Sequence, residues 1–443
     1  MTFPIMYAGF DGLDVAFQGK IPAYALDTLE TARTEAQEAR ADALAYIGPG
    51  KLAAHVGETG ARGGYRYRMD TGPEGVIWFI KRGDDPQDWN LRASVKSATL
   101  AVHGYQGVQD LLYRDLEAMG ATVLSESIGR VDFAVDFLIK DFDLRPENFV
   151  CGSQMRRSEY YVTELDRDKM AAHAPTLHNE DDQHRLVNRT GPRVTGVTLG
   201  KMPNRQVIVY DKRREVIDRR LTKSFWWDVW GLDRNDKDNQ VWRVELRMGK
   251  TYLKERYNLV TWEDFEASIC DLFKSCVQEI RYVQSGTDSN RARWANDPLW
   301  DQVAGQVDEC LSQWESGLLP GRVKAQTREN FIKCYEGLIA GMSASYAAAI
   351  GLKWNENGKV TERMAGVVND LVLNRPGEFI AKKERARQRM YFINERSAAD
   401  DAYQDERGSV GLGGRFEAGN VGRWQGEGVA GGGGSSLADP RSI

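Results

Sequence analysis

Long apolar runs are missing from this chain. No stretch approaches the roughly 18 consecutive apolar residues of a membrane-spanning helix, so none of it is expected to cross a membrane. Cysteine is scarce: Cys151, Cys270, Cys276, Cys310 and Cys334 are odd in number and scattered, with no CxxC pair. That argues against a disulfide framework or a thiolate zinc site and fits reduced thiols in a cytoplasm. The N-terminal Met-Thr-Phe-Pro-Ile has no basic segment ahead of an apolar block, so no secretory signal is expected. No internal repeat is evident. Net positive charge is lacking too: 59 Lys and Arg against 64 Asp and Glu leave −5, which on its face argues against a nucleic-acid partner.

What is present is a globular composition, 42% hydrophobic and 28% charged, with 12 Trp for a sizeable core. At 443 residues, two domains plus tails are the natural division. The charge is unevenly spread. Residues 185–250 hold 16 Lys and Arg against 8 Asp and Glu, a net of +8 that leaves −13 for the rest of a −5 chain. A basic segment inside an acidic protein is a candidate phosphate-contacting surface.

The patterning predicts an α+β protein: an antiparallel-sheet domain over 1–255, a helical domain over 256–397 and a disordered Gly-rich tail over 398–443. A first strand is expected at 6–18, and one long helix at 23–47 ended by Gly48-Pro49-Gly50. Strands are expected at 65–69, 76–81 and 93–102, then an amphipathic helix at 108–119. Residues 141–204 read as long loops around short strands at 159–163 and 193–199. Thr261-x-x-Asp264 is a capping-box start for a helix to about 283. Further helices are expected at 299–316, 325–350, 360–373 and 378–394.

Three strands share one design. In Gly-Arg-Val-Asp-Phe-Ala-Val-Asp-Phe, 129–137, Val131, Phe133, Val135 and Phe137 alternate with Arg130, Asp132, Ala134 and Asp136. In 205–212, Val207, Val209 and Asp211 oppose Gln206, Ile208, Tyr210 and Lys212. In 241–248, Trp242, Val244, Leu246 and Met248 oppose Arg243, Glu245 and Arg247. If the three are neighbours, their polar faces converge on one patch. Asp132, Asp136 and Glu245 form an oxygen-ligand set suited to Mg²⁺ or Mn²⁺. Tyr210 is a candidate covalent nucleophile, with Lys212 and Arg243 to spread transition-state charge and favour its phenolate. Lys212, Arg213 and Arg214 are candidate phosphate contacts. Tyr160 and Tyr161 are rival tyrosines, and Asp211 reads as a helix-start residue. Glu245 between two arginines could equally belong to an ion-pair ladder. Trp226, Trp227 and Trp230 could stack on bases or fill a core. His173, His178 and His184 read as solvent-facing loop residues.

These blocks, Arg130-Val-Asp132 with Asp136, Tyr210-Asp211-Lys212 with Glu215, and Arg243-Val-Glu245, resemble in their order the replication initiation factor family. Its members are rolling-circle initiators of plasmids and filamentous phages, and related relaxases. The resemblance covers roughly residues 6–250. It implies a nicking domain whose tyrosine, here Tyr210, keeps the 5′ end of origin DNA as a phosphotyrosine ester and frees a 3′-OH to prime synthesis. Lys212 and Arg243 would assist, and Arg205, Arg213, Arg214 and Arg247 would hold DNA. Better-known initiators bind their metal with a His-hydrophobe-His pair. The five histidines here form none, so Asp132, Asp136 and Glu245 would hold the Mg²⁺ or Mn²⁺. Single-stranded or supercoiled origin DNA is the implied partner. A host helicase, a single-strand-binding protein and a second copy of the chain are further candidates. Two other readings stay open: an origin-binding protein that does not cut, and a carboxylate-metal nuclease acting through water.

Overall fold

The computed structural model describes residues 2–83, 85, 87–151, 156–162, 182–309, 318–353 and 356–394; for 156–162, 182–185 and 357 only the backbone is described. The Gly-rich tail expected from residue 398 lies outside the described residues, as do His173 and His178 and the side chain of His184.

Strand β1 (Ile5–Lys20) is the longest strand of the first half and alternates buried and half-buried residues from Leu13 to Gly19. Helix α1 (Ala23–Ala39) follows, burying Ala25, Leu29, Ala32 and Ala36 at helical spacing. It stops at Arg40, which takes a left-handed backbone (φ 49°), and the chain turns into β2 (Ala43–Ile47) and β3 (Leu52–Val56). The long helix expected over 23–47 is therefore a helix and a strand. Ala and Leu suit either state, and pairing with β3 decides the outcome. Strands β4 (Tyr65–Asp70), β5 (Val76–Lys81) and β6 (Leu91–Val95) form the expected meander. Helix α2 (Ser97–Met119) begins where a strand was expected to continue and breaks at Gly104 (φ 64°, ψ −175°).

The second half runs β7 (Thr122–Leu138), β8 (Phe149–Cys151), β9 (Arg156–Val162), β10 (Asp182–Thr190), β11 (Arg193–Gly200) and β12 (Arg205–Asp211). Segment 141–204 thus carries more strand than its polar sequence suggests. Three short helices, α3 (Lys212–Asp218), α4 (Arg220–Lys223) and α5 (Trp226–Trp230), lead to β13 (Val241–Gly249). Helix α6 (Trp262–Glu279) starts with the expected capping box: the Thr261 side chain accepts from the Asp264 amide, and the Asp264 side chain from the Thr261 amide. Strand β14 (Ile280–Tyr282) pairs with β8 apart from the main sheet. Helices α7 (Pro298–Asp308), α8 (Arg322–Ala349), α9 (Asn357–Asn369), α10 (Pro376–Arg389) and α11 (Tyr391–Asn394) complete the described chain.

Twelve strands make one sheet in the order β2-β3-β4-β5-β6-β1-β7-β13-β12-β11-β10-β9. Neighbours are antiparallel except β9 and β10, which run parallel. The apolar strand face carries Val131, Phe133, Val135 and Phe137 with Val244 and Leu246, in one core with Leu29, Leu112, Phe265, Leu272 and Trp300 from α1, α2, α6 and α7. Helices α6 and α7 lie beyond residue 255 yet share the core of the strands. A second, smaller core lies on the opposite face: Tyr7 and Ala134 meet Val216, Phe225, Trp226, Trp227 and Trp230. The segment after β12 therefore folds back over the polar face.

Candidate active site

Directly opposed residues in an antiparallel pair project from the same face. Between β7 and β13, Asp136 opposes Arg243, Ala134 opposes Glu245 and Asp132 opposes Arg247. Between β12 and β13, Tyr210 opposes Arg243 and Gln206 opposes Arg247. From β1, Tyr7 opposes Asp136, Gly9 opposes Ala134 and Gly12 opposes Asp132. The structure thus gathers Asp132, Asp136, Tyr210, Arg243, Glu245 and Arg247 on one face, and Lys212 joins them from the first position of α3. The small Ala134 and two glycines keep the middle of the face low.

One end of this face is sealed. Arg243 donates to both oxygens of Asp136, from Nε at 2.5 Å and Nη2 at 2.7 Å, and the Trp230 indole adds a third bond at 2.8 Å. Its Nη1 donates to Asp11 at 2.6 Å, and the guanidinium lies over the Trp226 ring, 4.1 Å from its centre. Asp136 and Arg243 are fully buried. Asp11 was not singled out from sequence. It sits at a register shift between β1 and β7, where Phe10 pairs with Phe133 and Gly12 with Asp132, so one extra residue is turned toward Arg243. The only sequence signal is the turn-prone Gly9 to Gly12 stretch. Burial would raise the Asp11 carboxyl, but Arg243 and Lys212 outweigh it and hold it well below the usual range. Tyr7 is pushed far up by burial and by Asp11.

The other end reaches solvent through Arg130 and Arg247, while Asp132, Glu245 and Lys212 are themselves buried. Tyr210, half-buried, donates from its hydroxyl to Glu245 Oε2 at 3.2 Å and accepts from Lys212 Nζ at 3.2 Å. Lys212 also donates to Glu215 at 2.5 Å. Arg247 Nε donates to Glu245 Oε1 at 2.7 Å and lies 3.8 Å from Asp132. Arg130 makes a two-pronged contact with Asp132, its Nε at 2.9 Å from Oδ1. The side chains of Arg130 and Arg247 are 32% and 29% exposed, so this end can exchange partners. Burial pushes the Asp132 carboxyl up against the pull of Arg130. Burial, and then Arg243, lowers the Lys212 ammonium. The Tyr210 phenol is driven well up by burial and next by Glu245, against Arg243. Charge near the tyrosine therefore disfavours the phenolate, the reverse of the sequence expectation, because the carboxylate that touches the hydroxyl acts alongside desolvation.

Several candidates fall elsewhere. Arg205 alternates onto the apolar face of β12, buried against Glu279 and the Tyr252 hydroxyl at 3.1 Å. Arg213 lies over the Trp227 ring at 5.9 Å and donates to the Asp236 carbonyl at 3.3 Å. Arg214 approaches Asp218 at 3.6 Å. Asp211 is the N-cap of α3, accepting from the Arg214 amide at 3.0 Å. Trp226, Trp227 and Trp230 are core. Tyr160 and Tyr161 stand on the edge strand β9, with side chains outside the described residues.

The carboxylates differ in their fitness for a metal ion. Asp136 does not fit, because both its oxygens are committed within a sealed cluster. Asp132 and Glu245 do: each is held by a partly exposed arginine that a cation could displace. Mg²⁺ commonly takes one or two carboxylates plus substrate phosphates. Among the described residues, no group of three or more His, Cys, Asp or Glu is placed to hold a metal.

Fold and site together define an α+β protein with a tyrosine set among carboxylates and cations on one face of a large, mostly antiparallel sheet. No family model matches the chain, and no curated protein matches it. Among solved structures, that of the rolling circle replication initiator protein from Geobacillus stearothermophilus is similar over 70% of this chain and 98% of that one, with 14% sequence identity and a TM-score of 0.34. Among the described residues, no helix is long and apolar enough to cross a membrane.

Proposed function

We propose that this protein initiates rolling-circle DNA replication by cutting one strand of an origin through Tyr210. The observation that carries the reading is the placement of the Tyr210 hydroxyl between a carboxylate and an ammonium, each at 3.2 Å, beside arginines that can meet a phosphate. Because the phenol is driven up, it acts by general-base catalysis rather than as a standing phenolate. Tyr210 Oη attacks phosphorus as its proton passes to Glu245, and the bond from phosphorus to O3′ breaks. Lys212, its ammonium made more acidic by burial, gives a proton to the departing O3′. The products are a phosphotyrosine ester on the 5′ side and a free 3′-OH. Arg247 and Arg130 are the cations placed to receive the phosphate oxygens. A Mg²⁺ or Mn²⁺ on Asp132 and Glu245 would polarise a phosphoryl oxygen.

The test is incubation with supercoiled DNA carrying an origin from the element that encodes the chain, with and without Mn²⁺. A protein–DNA adduct that survives denaturation, and is lost in Tyr210→Phe, is the expected result. Cleavage without an adduct would point to hydrolysis through water, and binding without cleavage to an origin-recognition protein.

A further inference from the structure

The segment that seals the polar face has an outer side as well. There, a cavity of about 290 Å³ opens between α3 to α5 and α8. Its walls include Arg220, Arg234 and Lys333, the amides Asn235 and Asn330, and the aromatic Trp227, with no carboxylate among the described residues that line it. None of the three cations is ion-paired with a described residue. The walls are tied together: the Asn330 amide donates to the Ser224 hydroxyl at 2.6 Å and to the Arg220 carbonyl at 3.3 Å. Arg322 and Gln326 both donate to Asp228, which joins α8 to α5. Three like charges held around one hollow repel each other, and a cleft lined by one sign of charge concentrates counter-ions. Among the described residues, no Asp or Glu lines this hollow.

We propose that this cavity is a phosphate subsite for single-stranded DNA. Cations that follow a backbone, neutral amides and an aromatic wall are the elements of strand binding without base readout. The sequence adds a spatial argument. Arg220 follows Tyr210 by ten residues, most of them helical, so a strand of several nucleotides can reach both groups. The identity of the strand rests on the proposed function; the anion-binding chemistry of the cavity does not.

The probe is a fluorescein-labelled single-stranded oligonucleotide of about 16 nucleotides, read by anisotropy on the full chain over a salt series. The variant is Arg220→Gln/Arg234→Gln/Lys333→Gln. Its charge-matched control is Lys359→Gln/Lys382→Gln/Arg387→Gln on α9 and α10, and circular dichroism verifies folding of both. The subsite variant should lose about tenfold or more in affinity, and its logarithmic salt slope should shrink by about 2, at about 0.7 per phosphate contact. The control should match the native chain. An unchanged slope and affinity, or an equal loss in the control, would overturn the proposal. ATP and inorganic phosphate serve as competitors: if either binds the native chain more tightly than the oligonucleotide and not the subsite variant, the ligand is a free phosphate compound and the strand assignment is wrong. Should no adduct ever form while the slope still falls, the subsite stands and the Tyr210 chemistry fails. An adduct with an unchanged slope has the reverse meaning.

Discussion

Two arginines on β13, four residues apart on one face, have opposite surroundings. Arg243 is buried under Trp226, with Asp136 and Asp11 as partners. Arg247 lies toward solvent with Glu245 and, at 3.8 Å, Asp132. The residue types are the same, and a motif counts them alike. Their work differs, because a desolvated ion pair cannot exchange partners without a large penalty, whereas a solvent-edge pair can. The sealed end is the rigid base of the site, and the other end is where, in the proposed reaction, a substrate phosphate would enter.

The largest effect should fall at the open end and on chemistry alone. Tyr210→Phe should eliminate the covalent adduct while changing stability by no more than about 1.5 kcal/mol, the scale of one hydrogen bond; denaturing gels and urea unfolding read the two quantities. An adduct that persists in Tyr210→Phe but vanishes in Tyr160→Phe or Tyr161→Phe would move the nucleophile to β9.

Next in size is the contrast between the arginines. Arg243→Ala strands Asp136 and Asp11 without their partner and should cost about 3–5 kcal/mol in urea unfolding. Arg247→Ala should cost about 1 kcal/mol or less. Similar losses for both would erase the distinction between the two ends.

Metal dependence sharpens the same contrast. A chelator should suppress adduct formation, and Asp132→Asn should raise the Mn²⁺ concentration needed by about tenfold to a hundredfold, the usual scale for weakening a metal site. Asp136→Asn should lower stability and leave the Mn²⁺ requirement of the remaining folded protein near native. A shifted requirement in Asp136→Asn would bring Asp136 back as a ligand.

The smallest expected effect concerns pH. In the proposed reaction the ammonium of Lys212 is the proton donor, and burial lowers it, so adduct formation should decline on the alkaline side at a pH below the ordinary lysine range. The group is protonated, hence active, below that pKa and inactive above it. Lys212→Met should slow the reaction and abolish this alkaline limb. A limb that stays in place assigns the proton to another group.

Much of this arrangement was legible before any fold was known. Strict alternation over 129–137, 205–212 and 241–248 placed Asp132, Asp136, Tyr210, Arg243 and Glu245 correctly by face, since a strand has a period of two whatever surrounds it. The capping box at Thr261 was readable for the same local reason. Arg205 was misassigned against the same rule: it is basic and close to the motif, but alternation puts it on the face opposite Tyr210. The helix expected over 23–47 failed because apolar spacing there suits both states and strand pairing is non-local.

What the sequence determined by itself is the order of the three motif strands, the polar face of each, and a tyrosine followed two residues later by a lysine. Tertiary structure decided which of those charges are sealed in and which border solvent. A register shift turned Asp11 inward, and the chain after β12 folded Trp226 and Trp230 onto Arg243 and Asp136. The cluster they close depends on contacts between residues about a hundred or more positions apart, Arg243 with Asp136 and with Asp11. Desolvation belongs to that packing and not to any residue, so the same Asp–Arg pairing is a fully buried foundation at one end and, at the other, a buried carboxylate under a partly exposed arginine.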